Sequence, residues 1–164
     1  MKPFNVGVMV VTLWLAGALQ LGLAPWMAIH SIAPDFVLVA MGCLCLFTSQ
    51  SGATVIGFFS GLIYGGVSLS ALGPHIVSRT LIGFFVGWLN TLEIQPTAFV
   101  ASLSAMVVTL GARLIFFFMA PPAAHELGAY LQATIGGLIY NAILAAPTFL
   151  LLSRILIGNK RRYR

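Results

Sequence analysis

The chain has 164 residues, 60% of them hydrophobic, with eight Lys or Arg and three Asp or Glu. A soluble domain carries about 25% charged residues; at 7% this chain cannot coat a water-facing globule, and its hydrophobicity equally excludes a disordered coil. Four of the basic residues behind the net charge of +5 are Lys160, Arg161, Arg162 and Arg164, so the charge marks membrane topology and not nucleic-acid binding.

A span needs roughly 20 apolar residues. The composition therefore predicts an all-α integral membrane protein, one polytopic domain over 1–164 with about six transmembrane helices. Little chain is left for an extramembrane catalytic, nucleotide-binding or zinc domain. Span one is expected from Phe4 to Leu23 as an uncleaved first helix, although Lys2 and Ala16-Gly17-Ala18 carry some features of a signal peptide. Trp26 follows as an interfacial anchor. Pro34-Asp35 opens span two, because proline suits a first helical turn and a carboxylate suits its positive end. Thr48 to Gly52 is a polar turn. Span three covers about Ala53 to Leu69, and Ala71-Leu72-Gly73-Pro74 is expected to break it from span four, His75 to Asn90. Span five covers Ala98 to Met119, closed by Pro121-Pro122. Span six, Leu127 to Ile157, is long enough to predict an interfacial turn and a kink at Pro147.

An even number of spans puts both termini on one side. Placing them in the cytoplasm puts Lys2, Arg154 and the basic tail at 158–164 inside, in accord with the positive-inside rule. His30, Asp35, His75, His125 and Glu126 then fall at the outer ends of the spans. Arg79 and Arg113 lie inside helices of the outer half. A charge in hydrocarbon is costly unless paired or wet, so at least one of the two is expected to meet Asp35 or Glu126, or to face a wet groove. The outer-half cluster is Asp35, His75, Arg79, Arg113 and Glu126.

Small residues recur at a spacing of four: Gly57, Gly61 and Gly65, then Gly83 and Gly87. Such stripes let backbones approach closely, either within the bundle or against a partner. Cys43 and Cys45 point about 200° apart on a helix and read as packing residues. Asn141, mid-span, reads as an interhelical hydrogen-bonding amide. The histidines have no metalloprotease spacing, Ser51 and Ser60 lack a nucleophile-elbow frame, and there is no phosphate loop ending in lysine. No catalytic residue, metal or cofactor is expected.

The sequence resembles the MreD family of the bacterial rod-shape machinery. The resemblance rests on Pro34-Asp35-Phe36-Val37-Leu38-Val39, Gly57-Phe58 with Gly61-Leu62-Ile63, Leu72-Gly73, and Ile82-Gly83-Phe84. It extends to Pro147 with Phe149-Leu150-Leu151-Leu152 and Arg154, and is best over 32–92 with a weaker echo at 136–157. Family members often carry an acid shortly after the Gly-Leu of span three. Here that stretch reads Gly61-Leu62-Ile63-Tyr64-Gly65-Gly66, without one. The resemblance implies a fold similar to the substrate-binding subunit of energy-coupling-factor transporters. It also implies a non-enzymatic scaffold in the inner membrane that binds an MreC-like protein. Through the complex it would support RodA, a class B penicillin-binding protein and MreB in peptidoglycan synthesis. The alternative is a substrate-binding subunit of an energy-coupling-factor-type transporter, using the outer polar cluster as its cavity.

Overall fold

The computed structural model describes residues 6–30, 32–68, 71–92 and 95–158. Lys2, Glu93 and the tail residues Lys160, Arg161, Arg162 and Arg164 lie outside the described residues. The described chain is all helical, with no strand. Its helices are α1 (Val6–Gly22), α2 (Phe36–Cys45), α3 (Gln50–Ser68), α4 (Leu72–Leu89), α5 (Ala98–Met119) and α6 (Leu127–Gly158). Three segments, α3, α5 and 124–156 comprising α6 with its lead-in turn, are long and apolar enough to cross a membrane. α1 and α2 are apolar but shorter.

The ends of the helices follow from local chemistry. Asp35 caps α2, its Oδ1 accepting the Leu38 N–H at 2.8 Å, and Thr97 caps α5, its Oγ1 accepting the Val100 N–H at 3.2 Å. α5 stops before Pro121-Pro122. Two boundaries differ from expectation. Ala71 to Pro74 was expected as a break, but Leu72, Gly73 and Pro74 form the first turn of α4. The first N–H groups of a helix have no intrahelical partner, so proline costs nothing there. The turn expected inside span six is also absent. α6 runs unbroken for 32 residues with Pro147 inside it, and the irregular turn precedes it as a 3₁₀ turn at Ala124–Glu126. Pro147 has no N–H for the Ile143 carbonyl, a loss of one ladder bond in a helix that continues on both sides of it.

α2 is the axis of the bundle. Every residue from Val37 to Cys45 is buried, and α2 touches each of the other five α-helices. Leu13, Met41, Leu44, Ile56, Val108 and Phe149 interlock around it. Cys43 and Cys45 lie in this core as free thiols, Cys43 Sγ donating to Ala145 O at 3.5 Å. Lipid is as apolar as leucine, so burial from water does not drive this packing; close contact and interhelical hydrogen bonds must.

The closest contact is between α3 and α4, and all five stripe glycines lie in it. A Cβ added at Gly61 would fall 2.6 Å from His75 O and from Ile76 Cα. One at Gly83 would fall 2.5 Å from Ala53 O, and one at Gly87 2.7 Å from Gln50 Cα. Gly65 faces Leu72, and Gly57 faces the backbone of Arg79 and Thr80. The stripe is thus occupied within the chain, and it sets the positions of His75 and Arg79.

Candidate polar site at one end of the bundle

The helix starts of α2, α4 and α6 and the helix ends of α3 and α5 meet at one end of the bundle. They enclose a cavity of about 290 Å³ whose lining includes Asp35, Tyr64, His75, Arg79, Arg113 and Asn141. Asp35 holds two elements at once. Its Oδ1 caps α2, while its Oδ2 accepts from Arg79 Nη2 of α4 at 2.5 Å. A buried charge without a partner is costly. Arg79 is only 3% exposed, so the carboxylate is what makes its place tenable. The Tyr64 ring supports the guanidinium from α3, with Cζ 4.0 Å from the ring centroid. The His75 ring lies between Tyr64 and Phe116, at centroid distances of 4.9 and 4.6 Å.

The other groups at the start of α2 are also tied across helices. The Asp35 N–H donates to Asn141 Oδ1 at 2.9 Å, and Asn141 Nδ2 donates to Thr109 Oγ1 at 3.1 Å. Gln20 of α1 brackets the same turn: its Nε2 donates to Pro34 O at 3.1 Å and its Oε1 accepts the Phe36 N–H at 2.8 Å. The start of α2 is therefore fixed by α1, α4 and α6 together. Each such bond meets a donor or acceptor that would be costly to bury unpaired.

Arg113 lines the cavity from α5. Its carbonyl accepts the Tyr130 hydroxyl at 2.6 Å, and its Cζ lies 5.8 Å from that ring's centroid. Among the described residues no carboxylate comes within ion-pair distance of it. Glu126 does not join the cluster, which corrects its place in the expected group. It sits in the 3₁₀ turn before α6, exposed, 3.9 Å from the equally exposed His125. A carboxylate there is favoured by the positive end of α6 and not by either arginine. His30 is also outside, in the turn after α1, with φ of 49°.

The structure thus brings together Asp35, His75, Arg79 and Arg113 and leaves Glu126 aside. It adds Tyr64, Gln20, Thr109 and Tyr130, which the sequence reading did not single out. The signal was present in each case, since a phenol, hydroxyl or amide in an apolar helix needs a partner. Among the described residues no three His, Cys, Asp or Glu side chains gather as a metal site requires.

No family model, no curated protein and no solved structure matches this chain. The chemistry of the site must therefore be judged from its own residues. It offers donors, a fixed ion pair and aromatic walls. That inventory suits recognition of a polar or anionic group.

Proposed function

We propose that this chain is a non-enzymatic membrane scaffold subunit of the MreD type, crossing a bacterial inner membrane about six times with both termini cytoplasmic. In this reading it binds an MreC-like protein and supports RodA, a class B penicillin-binding protein and MreB in peptidoglycan synthesis and cell shape. One observation carries the reading: where the resembling residues fall. Pro34 and Asp35 start the buried central helix, and Gly57, Gly61 and Gly83 are the backbone contacts of α3 with α4. The resembling segment is thus the frame of the bundle. The outer surface is left apolar, with Trp14, Phe99, Phe118 and Ile143 exposed for lipid or a transmembrane partner.

A second reading is favoured by the cavity itself. A substrate-binding subunit with the energy-coupling-factor fold would place a small molecule among Asp35, His75, Arg79 and Arg113. Affinity purification of the tagged chain in mild detergent separates the two. Co-elution of an MreC-like protein is expected. Co-elution of an ATP-hydrolysing coupling module instead, with no MreC-like protein, overturns the scaffold reading in favour of the second.

A further inference from the structure

The polar cavity carries more positive charge than its fold uses. Its lining holds two guanidinium groups, Arg79 and Arg113, and one carboxylate, Asp35. Asp35 is engaged by Nη2 of Arg79. Nη1 of the same guanidinium is buried and has no hydrogen-bond partner. A charged donor sealed from water without an acceptor is rare in a folded protein and points to an absent acceptor. Arg113, on the facing helix α5, also lacks a carboxylate among the described residues. The surplus is one positive charge beside a donor waiting for oxygen.

A second cavity, of about 260 Å³, adjoins the first along α5 and α6. Leu110, Leu114, Leu131 and Ile135 are among the side chains that line it, and Arg113 and Tyr130 line both cavities. A polar, cationic chamber thus lies beside an apolar groove, and Arg113 and Tyr130 belong to the walls of both. A ligand matching both is an anion with a hydrocarbon tail.

We propose that this paired site binds an anionic phospholipid, one whose phosphate headgroup carries no cation of its own. The phosphate oxygens accept from Arg79 Nη1 and from the Arg113 guanidinium, and a hydrocarbon chain lies in the α5–α6 groove. Two forked guanidinium groups suit a tetrahedral oxyanion. The phosphate supplies the missing negative charge, and the groove selects a lipid over free phosphate. The inference rests on the cavities alone and holds for either reading of the protein's role.

The test uses the full chain, purified and delipidated in a nonionic detergent, with bound species counted by native mass spectrometry. Four probes are compared: short-chain phosphatidic acid, short-chain phosphatidylglycerol, phosphatidylcholine of the same chain length, and inorganic phosphate. The anionic lipids should be retained about tenfold or more over both phosphatidylcholine and phosphate, the equivalent of one charge-assisted hydrogen bond. Arg113→Gln removes a guanidinium that has no carboxylate partner, and should lower retention of the anionic lipids by about tenfold. Leu131→Trp fills the groove and should lower retention of the lipids while leaving phosphate unchanged. Equal retention of phosphatidylcholine and phosphatidic acid by the parent protein overturns the proposal, whatever the variants do. Phosphate binding as well as the anionic lipids overturns the lipid assignment. Unchanged retention in a folded Arg113→Gln protein overturns the placement of the headgroup.

Discussion

Replacing Asp35 with Asn removes one charge and almost no volume. Arg79 is 3% exposed, so its guanidinium cannot turn to water when its partner is neutralised. Removing one member of a buried ion pair costs about 3–5 kcal/mol, because the remaining charge is left uncompensated. Asparagine keeps an oxygen able to accept the Leu38 N–H, now bonded at 2.8 Å, so the α2 cap survives. Asp35→Ala loses the cap as well, about 1 kcal/mol further. The double variant Asp35→Asn with Arg79→Met removes both charges. Its loss should be smaller than the sum of the two single losses by at least about 1 kcal/mol, as expected for groups in contact. Cys43 and Cys45 are 0% exposed and report on opening of the core. Thiol labelling during unfolding in mixed micelles therefore gives the free energies directly. If Asp35→Asn is within about 1 kcal/mol of the parent, or the double variant is simply additive, the pair does not hold α2 to α4.

Two further outcomes are expected. Gly61→Ala should destabilise the fold by about 1–3 kcal/mol, since its Cβ meets backbone and not a movable side chain. Gly66→Ala, where a Cβ meets nothing within 4 Å, should be neutral or stabilising; equal stability of the two variants refutes the close α3–α4 contact. A reporter active only in the periplasm, fused after Arg164, should be silent, while a cytoplasmic reporter at the same place should be active; the reverse result refutes the topology and the even span count.

Much of the helical layout was legible because proline, glycine and polar turns punctuate a nearly uniform apolar text. α5 begins and ends where Thr97 and Pro121-Pro122 put it. One proline effect differs from expectation, the break at Ala71 to Pro74. Proline is a breaker only where its missing N–H matters, and in the first turn of α4 that N–H would have had no intrahelical partner. The glycine spacing announced a close backbone approach but not which helices make it. The placement of Gly61 against His75 and Ile76 decides that. Two acids and two helical arginines allowed several pairings, and only three-dimensional placement picks Asp35 with Arg79 and leaves Glu126 outside. Tyr64 and Gln20 escaped notice because their roles depend on neighbours from other helices.

The shortness of α2 has a consequence for how the chain is made. Its ten helical residues span about 15 Å, against a hydrocarbon layer about 30 Å thick. Both of its irregular ends therefore need polar partners from within the bundle. At its far end Asn90 Nδ2 donates to the carbonyls of Cys45 and Thr48, at 2.5 and 3.3 Å. At its near end the partner of the Asp35 N–H is Asn141, 106 positions later. At about 5–20 residues per second of synthesis, that N–H waits roughly 5 to 20 s on the ribosome for its acceptor. During that interval α2 cannot settle as an independent transmembrane segment. It must be held by α1 through Gln20, and by α4 once Arg79 has emerged, until α6 arrives to complete it. The central helix of this protein is thus among the first to be translated and the last to be finished.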